Sequence, residues 1–417
     1  MGPIMEYCFH RWKIVSLRIV ADHMNWFVLL QHHSELLTKA EKAIIIIKPA
    51  SNQAYFDEQA PPDNQIVLSM NEVRHLNYEY SLQDNNRVLY VVTLETPNLE
   101  VLKINRCLVS SNVHFKLHHC SQLRSICIQY ESRLCHDPVE LENTSPHLQP
   151  NLTHLKLCNA TMATTFGTSF GNLHHICLTN VTITPTDHPL ECPNLRKLML
   201  FWLTFKKPLK IRTPQLQALT CNASVLNQLQ LNEAPQANRL SIDMRRAPYD
   251  PSEMAYPASF SFFRKLKLTV SHCFRYDNRW FSVYCSYFNA ITELIVDGKF
   301  PKNHYMHLKD IVSSLTQVSS LTLRWMSVPS DFSYLPVNVK TVNIEDCTTE
   351  ADSIQFGPSV RCVRVSNLWM WNMPDDIGVE MQLLPEGRFS PLSSKRVLVR
   401  KGKVMTPRTI YSTVEGV

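Results

Sequence analysis

Along PNLEVLKINRC (residues 97–107), Leu99, Leu102 and Ile104 take the first, fourth and sixth places of a repeating apolar pattern, and Cys107 takes the ninth. A strand alternates its side chains with a period of two. Leu102 and Ile104 therefore point to one face, while Val101, Lys103 and Asn105 point to the other. Leu99 and Cys107 close the corners before and after the strand. One such coil cannot bury its apolar side alone, so the pattern predicts stacked copies. The chain supplies them as SQLRSICIQ, PNLTHLKLC, GNLHHICLT, PNLRKLMLF, PQLQALTCN, QANRLSIDM, FFRKLKLTV, AITELIVDG, QVSSLTLRW, NVKTVNIED and SVRCVRVSN. Their first apolar positions are Leu99, Leu123, Leu152, Leu173, Leu195, Leu216, Ala237, Phe263, Ile291, Val318, Val339 and Val360.

The steps between these positions run from 21 to 29 residues, room for one strand and a return segment. This spacing predicts an α/β fold, a leucine-rich-repeat solenoid with a curved parallel β-sheet and an irregular or helical convex side. The array proper covers residues 97–373. Before it, residues 11–96 read as degenerate coils: a strand at RWKIVSLRIV, a helix over Trp26 to Leu37, an isoleucine-rich strand in AEKAIIIIK, a surface loop from Pro49 to Asn64, and a coil carrying Val73, Leu76 and Tyr78. Residues 1–10 have no periodic pattern and are expected to fray. The aromatic stripe Trp280, Phe281, Tyr284, Tyr287 and Phe288 predicts a convex-side helix packed into the core. From Pro374 the periodicity stops, and residues 374–417 read as a basic tail or cap.

Composition narrows the picture. A hydrophobic content of 44% is ample for a core, and a charged content of 19% is too low for a largely disordered chain. The net charge of +6 is mild and not gathered into the basic stripe of a dedicated nucleic-acid binder, so nucleic acid is not an expected partner. The 13 cysteines form no CxxC pair, and several, among them Cys107, Cys127 and Cys347, take repeat positions that suit a small apolar residue. Five Asn-x-Ser/Thr sequons begin at Asn143, Asn151, Asn159, Asn180 and Asn222, but His10, Arg11, Lys13 and Arg18 interrupt what would have to be a signal core. No run reaches the roughly 18 apolar residues of a membrane span. These features together predict reduced thiols and a cytoplasmic or nuclear location.

The third, fifth and seventh positions of each coil define the expected partner-binding concave face: Lys103, Asn105, Gln129, His154, Lys156, His175, Lys197, Phe201, Arg239, Lys265, Lys267, Glu293, Asp297, Arg324 and Glu345. The sign changes along it, basic through Lys103, Lys156 and Lys197, then acidic at Glu293, Asp297 and Glu345, which suits a protein better than a uniform polyanion. His154 and His175, with Cys158 and Cys177 nearby, form the most metal-like cluster, but without the tight ligand pairs of structural zinc, so no metal and no cofactor is expected. Nucleophile elbows, paired carboxylates and activated cysteines are missing, and GTSFG (167–171) lacks the Lys-Ser/Thr of a phosphate loop. No catalytic residue is assigned.

Three stretches resemble the repeat region of plant F-box proteins: KIVSLRIVADHMNWFVLLQHHSELLTKAEKAIIII, PNLEVLKINRC, and KIRTPQLQALTCNASVLNQLQLNEAPQANRLSIDM. Thr213, Pro214, Gln215 and Leu216, and then Glu233, Ala234 and Pro235, stand where that family carries its "A-P-x-L" and "N-A-P-x-L" motifs. The resemblance implies the substrate-receptor half of a ubiquitin ligase, holding a protein client while a Skp-type adaptor and cullin assembly transfers ubiquitin. HRWKIVSLRI (10–19) resembles the tail of an F-box; the adaptor-docking helices of that module do not precede it. The competing expectation is a stand-alone repeat scaffold that binds a client without engaging a ligase.

Overall fold

The computed structural model describes residues 17–22, 40–48, 65–81, 90–107, 113–117, 119–130, 138–139, 151–159, 161–163, 171–184, 190–205, 208–226, 228–232, 234–244, 260–270, 288–298, 308–349, 353–370, 379–383 and 395–401. The chain forms two compact units, Met1–Leu216 with Leu229–Ala234, and Gln217–Gln228 with Pro235–Val417. Each winds as a parallel β-sheet solenoid.

In the first unit eight strands lie side by side: β1 (Leu17–Asp22), β2 (Lys42–Lys48), β3 (His75–Ser81), β4 (Val101–Cys107), β5 (Ser125–Tyr130), β6 (His154–Cys158), β7 (His175–Thr179) and β8 (Lys197–Phe201). All neighbours are parallel and in step, so that Lys103 pairs with Cys127, Cys127 with Lys156, Lys156 with Cys177 and Cys177 with Met199. The second unit repeats the arrangement with β9 (Ala218–Asn222), β10 (Arg239–Asp243), β11 (Lys265–Val270), β12 (Glu293–Gly298), β13 (Ser320–Arg324), β14 (Thr341–Thr349) and β15 (Cys362–Met370).

The twelve first apolar positions are all in the core, none more than 4% exposed. The fourth and sixth positions follow them inside, as Leu102, Ile104, Leu155, Leu157, Leu198 and Leu200 illustrate. In the degenerate region, Val73, Leu76 and Tyr78 are likewise buried, and the isoleucine-rich strand is β2. The expected helix at 26–37, the loop at 49–64 and most of the aromatic stripe lie outside the described residues; of that stripe Phe288 is buried, its ring 6.0 Å from that of Phe260.

Two backbone devices shape each coil and fasten it to its predecessor. A four-residue turn precedes the first apolar residue, with Leu99 N donating to Thr96 O (3.1 Å), Leu195 N to Cys192 O (3.2 Å) and Val339 N to Pro336 O (2.9 Å). Proline at the second turn position, as in Pro97 and Pro193, presets the required φ. Then the N–H groups of two successive residues share one carbonyl of the preceding coil: Arg124 and Ser125 on Glu100, His174 and His175 on Thr153, and Thr292 and Glu293 on Arg264. A side chain adds a third link. Asn98, Asn151, Asn194 and Asn338 donate their Nδ2 to the carbonyls of Asn71, Ser121, Gly171 and Thr316, at 2.7–2.8 Å. This explains the recurrent Pro-Asn-Leu: proline sets the turn, asparagine clamps the coil below and leucine fills the core.

Where irregular or helical returns are expected, the described return residues of the first unit carry short strands instead, while the second unit has helix on two of its returns. In the first unit these form parallel ladders: Gln65–Ser69, Tyr90–Glu95 and Val113–Lys116; Pro138–Val139, Thr161–Ala163, Thr182–Thr184 and Thr204–Phe205; and Leu190–Glu191, Leu209–Arg212 and Leu229–Asn232. Among the described residues helix is confined to α1 (Ala223–Leu226) and α2 (Leu308–Ser314), both in the second unit. The C-terminal segment adds antiparallel pairing, Lys395–Lys401 lying between Ser353–Phe356 and Val379–Leu383.

Candidate functional site

Because every strand is in register, the third, fifth and seventh positions become continuous rows on the open face of each sheet. In the first unit, Ser125, His154, His175 and Lys197 form the third-position row from β5 to β8. Lys103, Cys127, Lys156, Cys177 and Met199 form the fifth, and Asn105, Gln129, Cys158, Thr179 and Phe201 the seventh. Lys103, Gln129, His154, Lys156, His175 and Lys197 are exposed, and Asn105 and Phe201 half-buried. Arg124 and Arg196, one residue ahead of β5 and β8, are exposed at the rim.

From β4 to β8 the charges of this face are one-sided; Glu79 stands at the seventh position of the preceding strand β3, paired with Asn105. No Asp or Glu occurs anywhere in β4 to β8, and among the described residues no carboxylate lies within ion-pair distance of Lys103, Lys156 or Lys197. His154 and His175 lie side by side, ring centroids 4.5 Å apart, with the Thr153 hydroxyl 2.8 Å from His154 Nδ1. Partial burial first, then the neighbouring His154, Lys197, His174 and Arg196, hold the imidazole of His175 below its usual pKa.

The second unit treats its charges differently. Lys265 Nζ is 2.7 Å from Glu293 Oε2, Lys267 Nζ is 2.6 Å from Asp297 Oδ2, and Arg324 Nε is 2.5 Å from Glu345 Oε2. Arg239 and Glu293 are exposed, Lys265, Lys267, Arg324 and Glu345 half-buried, and Asp297 only 8% exposed. The seventh row here is sheltered from water, with Asn222, Asp243, Thr269 and Asp297 all buried. The acidic half expected of this face is thus largely neutralised by its own lysines and arginine.

Thiols take two environments. Burial pushes the Cys192 thiol up to about 12 and that of Cys347 to about 11, and it drives Cys221 higher still. Cys127, Cys158 and Cys177 are half-buried on the open face, and burial raises the pKa of the first two against the opposing pull of Lys156. Cys127 and Cys177 flank Lys156, two strand spacings apart, about 10 Å, beyond the reach of a disulfide. Cys120, Cys127, Cys158, Cys177, Cys192, Cys221, Cys347 and Cys362 are free, and no group of three or more His, Cys, Asp or Glu among the described residues is placed to hold a metal.

One class of residue escaped the sequence reading. Asn159, Asn180, Trp202, Trp325 and Asp346 each follow the last residue of a strand, or its register end in β14, with φ between 51° and 55°. Asparagine tolerates this left-handed arc, and Asn180 Nδ2 donates to Asn159 Oδ1 at 2.7 Å, which makes a ladder of two sequon asparagines. Tryptophan gains nothing there locally, yet Trp325 is 51% exposed and Trp202 stands 6.1 Å from Phe201 between ring centroids. Gly298 makes the Trp325 arc feasible, since a Cβ there would meet Trp325 O and Met326 Cβ at 3.0 Å. The only sequence signal was the break in the asparagine run that follows the strands.

The fold of each unit is that of a parallel β-solenoid with an open sheet face. No known protein-family profile matches the chain, and no characterised protein is significantly similar to it. No helix among the described residues is long and apolar enough to cross a membrane.

Proposed function

We propose that this protein is a non-catalytic, leucine-rich-repeat recognition protein that binds a protein client through the open face of its first unit, in the manner of the substrate-receptor region of an F-box protein. The observation that carries this reading is that Lys103 and Lys156 in the fifth-position row and Lys197 in the third meet no carboxylate among the described residues, whereas in the second unit Lys265, Lys267 and Arg324 pair with Glu293, Asp297 and Glu345. Lysines held apart on five strands that carry no carboxylate of their own are available to pair with a partner, which serves encounter and specificity. The alternating soft surface of Cys127, Cys177, Met199 and Phe201 gives the same face apolar contact area.

Charge reversal of Lys156 and Lys197 together tests the reading. It is expected to abolish capture of the client from a plant cell extract while the circular dichroism spectrum and urea midpoint stay unchanged; undiminished capture would move the site elsewhere. Quantifying Skp-type adaptor and cullin in the same pull-down separates a ligase receptor from a stand-alone scaffold. A stoichiometric adaptor favours the first, and client without adaptor the second.

A further inference from the structure

We infer that the occupant of the first unit's open face is an extended acidic–apolar polypeptide segment, running across the strands from β4 to β8 with a carboxylate at about every third residue. This rests on the reading of that face as the partner-binding surface and adds the chemistry of the partner. Three observations lead to it. The five strands present three lysines and two histidines outward and contain no Asp or Glu, so this stretch of the face favours an anionic occupant and holds no carboxylate of its own; Glu79 lies beyond it on β3. Lys103 and Lys156 occupy the same row two strands apart, about 10 Å, which is the length of three residues of extended chain. Lys197 stands two strands further and two residues back along the sheet, so a third carboxylate reaches it on a slightly oblique path.

Beside its two lysines the row offers Cys127, Cys177 and Met199, all half-buried and none charged. Apolar side chains between the carboxylates of a client therefore meet soft, weakly polar surface. A nucleic-acid strand fits this less well. Its charge repeats at every nucleotide, it needs a denser basic groove, and it stacks bases on aromatic platforms, whereas the only aromatic at the outward positions of β4 to β8 besides the two imidazoles is Phe201. The His154–His175 pair lies in the neighbouring third-position row between Ser125 and Lys197, where a carboxylate bound at Lys156 or Lys197 adds a counter-charge close to both rings.

The test measures fluorescence anisotropy of the full chain with fluorescein-labelled (Glu-Val-Ser)4, its glutamine analogue (Gln-Val-Ser)4, and labelled polyuridine RNA of similar length. The inference expects the glutamate peptide to bind at least tenfold more tightly than the glutamine one. The preference should fall at least tenfold in Lys156→Gln with Lys197→Gln, and persist in Lys309→Glu on the exposed surface of α2. The glutamate-to-glutamine comparison on the unmodified chain needs no variant to fold. Equal binding of the two peptides, or tighter binding of polyuridine than of the glutamate peptide, overturns it. Client capture that remains sensitive to the lysines alongside equal peptide binding would remove the acidic occupant and leave the recognition reading standing; loss of that sensitivity would remove both.

Discussion

At the scale of single residues, His175 reports on the electrostatics of the open face. Its pKa lies below the usual 6.5 of an imidazole, through partial burial and the surrounding His154, Lys197, His174 and Arg196. Well above pH 6.5 the ring is neutral in both the folded and the unfolded chain and contributes nothing to the pH dependence. As pH falls through that value the unfolded chain takes up the proton first, so stability declines until the lower folded pKa is passed and is constant below it. His175→Gln is expected to lose less stability than the unmodified protein between pH 7.5 and 5.5, read as the shift in urea midpoint. An equal shift in both would place the acid sensitivity elsewhere. The identity and outward direction of this histidine were legible from its place in the coil. Its place beside His154 was legible too; how far burial and the surrounding cations act on the ring was not, because that depends on side-chain placement across strands 21 and 22 residues distant in the chain.

At the scale of the element, one coil is a turn, a strand and a clamp. The strand was legible, since Leu195, Leu198 and Leu200 announce their burial by spacing alone. The clamp was not, because the asparagine of Pro-Asn-Leu is an ordinary turn residue until the coil below brings a carbonyl to it. Asn194 Nδ2 lies 2.7 Å from Gly171 O, and Asn151 Nδ2 2.7 Å from Ser121 O. Asn194→Ala and Asn151→Ala are each expected to cost about 1 kcal/mol, and the pair about 2 kcal/mol, because the sites are two coils apart and share no partner. Urea unfolding of the three variants measures this; no loss in any of them would mean that water replaces the amide without cost. The short return strands were illegible for another reason. Runs of two to four residues such as Thr161–Ala163 are too brief to show a period, and they form because their neighbours stack in step.

At the scale of the molecule, a stacked array needs its terminal backbone covered, since a free sheet edge is a template for pairing with another chain. In the second unit the antiparallel strand Lys395–Lys401 covers the edge of Ser353–Phe356, where Phe356 is fully buried and stacked on Phe332 at 5.2 Å between ring centroids. Removing residues 374–417 is expected to give a chain that self-associates in a concentration-dependent way by size-exclusion chromatography; a monodisperse truncated chain would show that the strand does not serve as a cover. The sequence by itself determined the coils: twelve apolar positions at steps of 21 to 29 residues set the strands, their common register and the residues facing inward. Burial of a periodic apolar face is a local consequence of side-chain order, so it is written along the chain. The pairing of charges is not local. Only the tertiary structure decided that Lys267 and Arg324 neutralise Asp297 and Glu345, while Lys103, Lys156 and Lys197 meet no carboxylate among the described residues. The register brings the rows together, but which neighbour a long charged side chain pairs with depends on its rotamer and burial, and spacing along the chain does not encode those.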